Sequence, residues 1–244
     1  MKVTVVGATG QIGSRVVELL TSAGHDVVAA SLSTGANVLT GEGLDDAVAG
    51  ADVLVDVVNS PSFEDGPVLD FFTTSTANLV AAAAKAGVGH YVALSIVGAD
   101  GLPDSGYMRA KVAQEKAIVA SGLPYSIVRA TQFHEFAEMI IGSLLVDGVA
   151  HAPDGRIQPI AVAEVSAAVA RVASNAPVDG IVNVGGPEKM SFADLARAVL
   201  GADANVVVDS AATYFGTAVD DSSLVTGAGA ELAPTRFADW QAAR

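Results

Sequence analysis

The segment VTVVGATGQIGSRVVELL, residues 3–20, constrains the fold more strongly than any other stretch of the chain. A short apolar run leads into Gly7, Gly10 and Gly13, and a helical pattern follows at once. In such a turn the first glycine permits a tight reversal, the second lets backbone approach a pyrophosphate, and the third lets the helix pack on the strand. We therefore predict a strand-turn-helix unit that binds a dinucleotide, in preference to a plain loop. The predicted cofactor contacts from this turn are Gly7, Thr9, Gly10, Gln11, Ile12 and Gly13.

The first half of the chain alternates short apolar runs with longer amphipathic stretches, a pattern typical of parallel strands joined by crossover helices. The predicted strands are KVTVVG, DVVAAS, DVLVDVV, HYVALSIV and YSIVRA. The predicted helices are IGSRVVELLTSAG, VLDFFTTSTANLVAAAAKAG and YMRAKVAQEKAIVASG, and each closes on a glycine that can end a helix. Because the strands are apolar on both faces, helices must cover both sides of the sheet. The sequence thus predicts an α/β fold with a doubly wound, Rossmann-like parallel sheet.

From about residue 131 onward the pattern changes, with FHEFAEMIIGSLLVDG, a helical VAEVSAAVARVASNA and a strand-like GIVNVGG. No linker rich in Gly, Ser or Pro precedes this part, so we predict a single domain over residues 1–244. The C-terminal portion is expected to contribute segments of a substrate cleft and a small lid. Tyr214, Phe215 and Trp240 are expected to fill the core of that lid.

Composition narrows the classes of ligand. The chain has no cysteine and its four histidines are scattered, so we predict no bound metal. A net charge of -14 with only 13 Lys and Arg residues argues against nucleic acid. Without a leader segment or an uncharged apolar stretch of about 18 residues, the expectation is a cytoplasmic protein that makes no membrane contact. The expected partner is a small-molecule substrate, and the sequence leaves homo-oligomer formation open.

The glycine spacing, Gly-x-x-Gly-x-x-Gly, is one residue longer in its first gap than the usual dinucleotide fingerprint. With this turn the chain resembles the short-chain dehydrogenase/reductase superfamily, in particular its atypical, NmrA-like branch of NAD(P)-binding proteins. The blocks GLPYSIVRATQFHEF, IQPIAVAEVSAAVA and VNVGGPEKMSFADLA also resemble that branch, so the resemblance covers nearly the whole chain. It implies a Rossmann-like fold, an NAD(P) cofactor and a reductase-type site.

The region after the second predicted strand bears on cofactor choice. An acidic residue that would bind the ribose 2′-hydroxyl of NAD is absent between residues 26 and 42. The hydroxyls of Ser31, Ser33 and Thr34 could instead surround a 2′-phosphate, and Arg15 is the nearby cation. The resembling family often has an arginine after this strand, and this chain does not. We predict that NADP(H) is favoured over NAD(H), with Ser31 as a contact.

The stretch SGYMRAK, residues 105–111, carries Tyr107 and Lys111 four positions apart, and Ser95 lies upstream. The resemblance implies that such a Tyr-x-x-x-Lys pair and serine form the catalytic site. Residues four apart share one helix face, and a neighbouring cation lowers a tyrosine pKa from its usual ~10. Lys111 is also a predicted contact of the nicotinamide ribose. Ser95 ends a strand at the edge where open parallel sheets bind ligands, so we predict that it binds the substrate carbonyl.

Two further segments follow predicted strands. Asn59 and Ser60 come after DVLVDVV, and we predict contacts of Asn59 with the cofactor and of Ser60 with substrate. The alternative is an Asn-Ser-Pro turn that bonds its own backbone. Phe133, His134 and Phe136 come after YSIVRA and are predicted to line the substrate cleft. Aromatic faces at a cleft suit a planar, apolar substrate.

The favoured functional hypothesis is an NAD(P)H-dependent oxidoreductase that reduces a carbonyl or quinone-like group of a small apolar or aromatic substrate. Two alternatives remain open, and both come from the resemblance. One is a dinucleotide-binding redox sensor of the NmrA type that regulates a partner without turnover. The other is a polyketide-tailoring enzyme that oxygenates or rearranges an aromatic substrate on the same fold.

Overall fold

The computed structural model describes residues 1–244, with the strands and helices bounded as follows. The strands are β1 Lys2–Val6, β2 Asp26–Ala30, β3 Val53–Asp56, β4 His90–Ile96, β5 Tyr125–Ala130, β6 Leu145–Val146, β7 Val149–Ala152, β8 Arg156–Ile157, β9 Gly180–Gly185, β10 Met190–Ser191, β11 Val206–Val208 and β12 Glu231–Leu232. The helices are α1 Gln11–Ser22, α2 Leu44–Val48, α3 Asp65–Ala86, α4 Gly106–Ala120, α5 Ala137–Gly142, α6 Val162–Ala173, α7 Phe192–Leu200 and α8 Phe237–Ala242. Short 3-10 segments lie at Leu32–Thr34, Ala99–Gly101 and His134–Phe136.

A seven-stranded sheet organises the molecule in the order β12-β9-β5-β4-β3-β1-β2. Every neighbouring pair in it is parallel. The predicted strands correspond to β1–β5, and the doubly wound α/β prediction is confirmed. Because β1 pairs with β2 on one side and with β3 on the other, the strand order reverses at this point. In open parallel sheets ligands bind outside the carboxyl ends of the strands at such a reversal.

Helices cover both faces of this sheet, as its doubly apolar strands require. On one face Val5 packs in a cluster with Val16 of α1 and Val165 of α6. On the other face Leu54 packs in a cluster with Leu79 of α3. The predicted helices correspond to α1, α3 and α4, and the closing glycines after them all have positive φ, as with Gly87 at 70°. None of the helices combines the length and the hydropathy needed to cross a membrane.

The chain beyond β5 both returns to the main sheet and builds a smaller unit. β9 and β12 extend the main sheet beside β5, whereas β6, β7 and β11 form a separate three-stranded sheet. Ile140 of α5, Phe192 of α7 and Phe237 of α8 share one buried cluster with Met108 of α4. That cluster places the C-terminal part directly over the beginning of α4, where the predicted tyrosine lies.

Candidate functional site

Two glycines of the turn at the carboxyl end of β1, Gly7 and Gly13, have no room for a side chain. Gly7 has φ 88°, and a Cβ built on it would lie 2.8 Å from the Val57 carbonyl oxygen. A Cβ on Gly13 would lie 2.1 Å from the Gly7 carbonyl oxygen. Gly10 caps α1 in an extended conformation, with no side-chain bond to the first helical amides. Those amides are therefore left for an anion, and the turn fits a dinucleotide pyrophosphate.

The end of β2 carries the hydroxyl cluster predicted for cofactor choice. Ser31 Oγ lies 2.9 Å from Ser33 Oγ, and the Ser31 amide donates to Thr34 Oγ1 at 2.8 Å. Ser31 is buried, while Ser33 and Thr34 are exposed. Arg15 lies exposed on α1 and makes no ion pair. The Thr34 hydroxyl is bonded to the backbone of Ala29 and Ser31, so Ser33 and the unpaired Arg15 are the exposed polar groups left near the end of β2. The contact of Ser31 with the cofactor and the preference for NADP(H) stay predictions.

Tyr107 lies in the first turn of α4, whose N-cap Ser105 accepts a bond from the Met108 amide. Its hydroxyl donates to Asn59 Oδ1 at 2.7 Å. The ring packs edge-on against Phe72 of α3, with ring centroids 5.9 Å apart. Burial raises the pKa of Tyr107 to about 12. The phenol is therefore protonated at neutral pH and is placed to act as a donor.

Lys111 does not activate the tyrosine in the way the spacing predicted. Lys111 is only 4% exposed, its Nζ donates to the Leu94 carbonyl at 2.8 Å and to Gln114 Oε1, and it lies 4.4 Å from the centroid of the Phe72 ring. Burial lowers the pKa of Lys111 to about 8. The expected lowering of the Tyr107 pKa is wrong, because burial dominates and the ammonium is committed elsewhere. The ribose contact of Lys111 stays a prediction.

Asn59 and Ser60 form the local turn that was the alternative to ligand contacts. Asn59 Oδ1 accepts from the Ser60 amide at 3.0 Å, and Ser60 Oγ accepts from the Ser62 amide at 3.2 Å. These are the local bonds of an Asn-Ser-Pro turn. The same Asn59 oxygen also accepts from Tyr107, so the turn presents an acceptor to the candidate proton donor. The contacts of Asn59 with cofactor and of Ser60 with substrate stay predictions.

Unpartnered polar atoms lie buried at the carboxyl ends of β4 and β5. Ser95 Oγ, Thr131 Oγ1 and both amide atoms of Gln132 are buried without a hydrogen-bond partner. The two strands are neighbours, with Ser95 paired opposite Arg129. A buried polar group without a partner costs about 1–3 kcal/mol, so such atoms at a ligand edge fit groups reserved for a ligand. The sequence interpretation missed Thr131 and Gln132, although the polar pair directly after an apolar strand was the available signal.

In the segment 133–136 after β5, some aromatic side chains are exposed and others are buried. Phe133 and Phe136 stack with centroids 5.3 Å apart, and Phe136 is exposed. His134 is only 1% exposed and packs against Phe237 and Trp240 of α8. Burial also lowers its pKa, so the ring is neutral at pH 7, and neither of its nitrogens has a hydrogen-bond partner. The substrate contacts of Phe133, His134 and Phe136 stay predictions, and the exposure of Phe136 is compatible with a cleft rim.

A turn in the C-terminal part approaches the same region. Phe215 and Gly216 have φ of 46° and 81°, and Tyr214 and Thr217 bond each other across them. Tyr214 packs against Phe192, as expected for a lid core, but Phe215 is 49% exposed. Burial first, and the Tyr107 phenol second, raise the pKa of Tyr214. The turn therefore lies within electrostatic reach of Tyr107, which the sequence did not indicate.

Comparisons with known proteins agree with this fold. A family model described as NAD(P)H-binding matches residues 7–175. The photosystem II assembly factor Ycf39 of Synechocystis sp. is 28% identical over 160 residues, which is 60% of this chain and 48% of that protein. The chain thus spans about half the length of this curated relative.

Two solved structures share the fold at low sequence identity. A UDP-glucose 4-epimerase of Thermus thermophilus in complex with NAD is 20% identical, with a TM-score of 0.68 over 100% of this chain and 93% of the other. An NADPH-dependent quinone oxidoreductase of Escherichia coli, complexed with NADPH, is 22% identical, with a TM-score of 0.65 over 85% and 77% of the two chains.

Proposed function

This chain belongs to the NAD(P)H-binding family, as an atypical protein of the short-chain dehydrogenase/reductase type, and on that premise we propose that it reduces a carbonyl or quinone-like group of a small apolar substrate. One observation carries the proposal. The Tyr107 hydroxyl bonds Asn59 just past β3, and Gly7 of the phosphate-binding turn abuts Val57 in the same segment. A proton donor and a dinucleotide turn thus share one edge of the sheet.

In the proposed reaction, the glycine turn, Asn59, Tyr107 and Ser95 each have a separate role. The glycine turn before α1 would hold the pyrophosphate of NAD(P)H, which would supply the hydride when bound. Asn59 keeps the hydroxyl hydrogen of Tyr107 directed at the crevice until the substrate oxygen takes its place as acceptor. With a pKa of about 12, Tyr107 is protonated and acts as the acid. Ser95 Oγ, which has no partner in the protein, donates to the same substrate oxygen and stabilises the developing charge.

The main rival is a protein of this fold that binds the dinucleotide without turning it over. It is favoured by Lys111, whose ammonium is buried and bonded inside the protein, and by the high pKa of Tyr107. The relative from Synechocystis is likewise named for assembly rather than for a reaction. NADPH oxidation against a panel of ketones, quinones and polycyclic phenols separates the two. Tight NADPH binding without oxidation by any compound identifies the binder, and oxygen uptake with a phenol but no NADPH identifies the tailoring enzyme.

We expect Arg15→Ala to weaken NADPH binding by about 5- to 30-fold, which corresponds to about 1–2 kcal/mol for an exposed charge-assisted contact. NADH binding should not change, because NADH lacks the 2′-phosphate that Arg15 is proposed to meet. Lys116→Ala removes the same charge from an exposed site on α4 and serves as the control. Fluorescence titration with both dinucleotides measures the effect. The preference for NADP(H) is contradicted if Arg15→Ala weakens the binding of both dinucleotides equally, or if it weakens neither.

Phe215 is expected to contact the substrate. A turn with positive φ at both central residues normally has Asn, Asp or Gly at the first of them. The turn between β6 and β7 follows this rule with Asp147 and Gly148, whereas the turn after Tyr214 has Phe215 in the position of Asp147. An exposed aromatic ring held at a costly backbone conformation suggests a functional reason for it.

Phe215→Asn should therefore raise the free energy of unfolding by about 1 kcal/mol, because Asn tolerates positive φ. The same change should raise KM for a planar quinone such as menadione severalfold, with KM for a small aliphatic ketone unchanged. Denaturant unfolding and NADPH-oxidation kinetics measure the two effects. Asp147→Asn places the same residue at the corresponding position of the other turn, which already holds a residue suited to positive φ, and should change neither the stability nor either KM. Stabilisation by Phe215→Asn with unaltered kinetics contradicts the substrate contact.

A further inference from the structure

A buried series of polar groups joins the end of β3 to α4. The Asp56 carboxylate is only 1% exposed and accepts from Tyr91 Oη and from Gln114 Nε2, each at 2.9 Å. Gln114 Oε1 in turn accepts from Lys111 Nζ. Lys111 also donates to the Leu94 carbonyl at 2.8 Å. One amide side chain therefore links a buried carboxylate to a buried ammonium.

Burial raises the pKa of Asp56, while the charge of Lys111 and hydrogen bonds from Tyr91, Val58 and Gln114 favour its ionised form. Because of these contacts Asp56 can supply the charge that balances Lys111. Glu115 is the other carboxylate that acts on Lys111, but Arg129 already holds it through two bonds of 2.9 and 2.6 Å. An ammonium buried without a counter-charge loses several kcal/mol of hydration free energy, and its pKa falls accordingly. Asp56 and Glu115 oppose this fall, and the pKa of Lys111 settles at about 8. Asp56 makes no direct bond to a cationic side chain, and its link to Lys111 runs through Gln114.

Few other groups that titrate surround Lys111. The carboxylates that act on it are Asp56 of β3 and Glu115 of α4. Tyr91 of β4 bonds Asp56, Arg129 of β5 bonds Glu115, and the neighbour from α3 is the uncharged ring of Phe72. Removal of the Asp56 charge would therefore leave Lys111 without an unpaired counter-charge.

We propose that Asp56 is a positioning residue for the NAD(P)H site: through Gln114 it fixes the place and the positive charge of Lys111, and with them the first turns of α4 that carry Tyr107. This rests on the proposed function only for the role of Tyr107. The positive charge itself favours the polyanionic dinucleotide, and the bond of Lys111 to Leu94 fastens α4 to the strand that carries Ser95. A neutral Lys111 supplies neither effect in full.

Direct titration of Lys111 tests the coupling without any substrate. The chain has only five lysines, Lys2, Lys85, Lys111, Lys116 and Lys189, so ¹³C-lysine labelling gives a spectrum that single Lys→Arg variants can assign. In the wild type Lys111 should titrate near pH 8. In Asp56→Asn its titration should move about 1–3 pH units lower, the usual effect of one close opposite charge. An unchanged titration in a folded Asp56→Asn protein overturns the proposal.

NADPH binding, followed by fluorescence across the same pH range, is the second measurement. Affinity in the wild type should fall as pH rises through about 8, and in Asp56→Asn the fall should come at correspondingly lower pH. Tyr91→Phe removes one of the hydrogen bonds that favour ionised Asp56, so the fall should move to lower pH by less than in Asp56→Asn. Asp52→Asn removes an exposed charge beside the other end of β3 and should keep the wild-type pH profile. Identical pH profiles for Asp56→Asn and the wild type would mean a merely structural carboxylate.

A measurement on the unaltered protein covers the case in which Asp56→Asn does not fold. The carboxyl ¹³C signal of Asp56 should then show a step at the pH where Lys111 titrates, because each group senses the charge of the other. A signal without that step overturns the coupling. None of these measurements needs turnover, so a protein that reduces none of the tested compounds would refute the proposed function and leave this inference standing.

Discussion

Replacing Tyr107 with phenylalanine is expected to lower the rate of carbonyl or quinone reduction by about 10²- to 10⁴-fold, the usual contribution of a positioned acid. The change removes only the hydroxyl that bonds Asn59, and the ring that packs on Phe72 and Phe63 is kept. The glycine turn is untouched, so the NADPH dissociation constant should stay at the wild-type value. We therefore expect NADPH oxidation to be slowed by this factor while NADPH binding is retained.

The pH dependence of the same reaction gives a second check on the acid. Because burial holds the pKa of Tyr107 at about 12, its proton is present throughout the neutral range. Ionisation of this phenol should therefore cause no loss of rate until the pH approaches that value. A loss of rate near pH 8 would instead indicate that Lys111 loses its proton, because burial lowers the pKa of Lys111 to about 8.

Stability must be separated from catalysis in this variant. Loss of the bond to Asn59 should cost about 0.5–1.5 kcal/mol in the free energy of unfolding, too little to unfold a stable domain. Tyr125→Phe in β5 is the matched control and should leave turnover unchanged, since Tyr125 lies away from the crevice at the start of its strand. Wild-type activity in Tyr107→Phe would rule out the proposed proton donor and favour the dinucleotide-binding alternative.

The part of the fold that sequence alone could predict is the part with strong periodicity. β1–β5 are short apolar runs between amphipathic helices, and the helices end at glycines such as Gly24 and Gly122, both with positive φ. By contrast β6, β8, β10 and β12 have two residues each, too few to produce a periodic signal. Their positions follow from packing against the rest of the chain, which no local pattern records.

The candidate site shows the same division. Tyr107 was singled out by its spacing from Lys111 and Asn59 by its place after a strand, and the structure joins their side chains by one bond. The commitment of Lys111 was not predictable, because its partner Gln114 bonds Asp56 from 58 positions away. Buried polar contacts of this kind depend on how helices dock on the sheet. A motif gives the residue types of a site, but the direction in which a long side chain turns is decided by packing.

Gly13→Ala is expected to abolish NADPH binding and to lower the free energy of unfolding by more than about 2 kcal/mol, the range of severe overpacking. Alanine normally favours a helix over glycine by about 0.5–1 kcal/mol, so helix propensity alone predicts the opposite sign. Here the new Cβ would lie 2.1 Å from the Gly7 carbonyl oxygen and 2.7 Å from its carbon. Both are backbone atoms, so no side-chain rotation can relieve the overlap.

The overlap can be relieved only if α1 moves away from the turn, and that movement separates the first helical amides from the place where a pyrophosphate would lie. Stability and cofactor binding should therefore fail together. Gly66→Ala in α3 is the matched control, because its Cβ would meet nothing within 4 Å, and it should raise stability by about 0.4–1 kcal/mol. Urea unfolding with and without NADPH measures both effects. Stabilisation by NADPH equal to that of the wild type in Gly13→Ala would mean that close packing of α1 on the turn is not what forms the dinucleotide site.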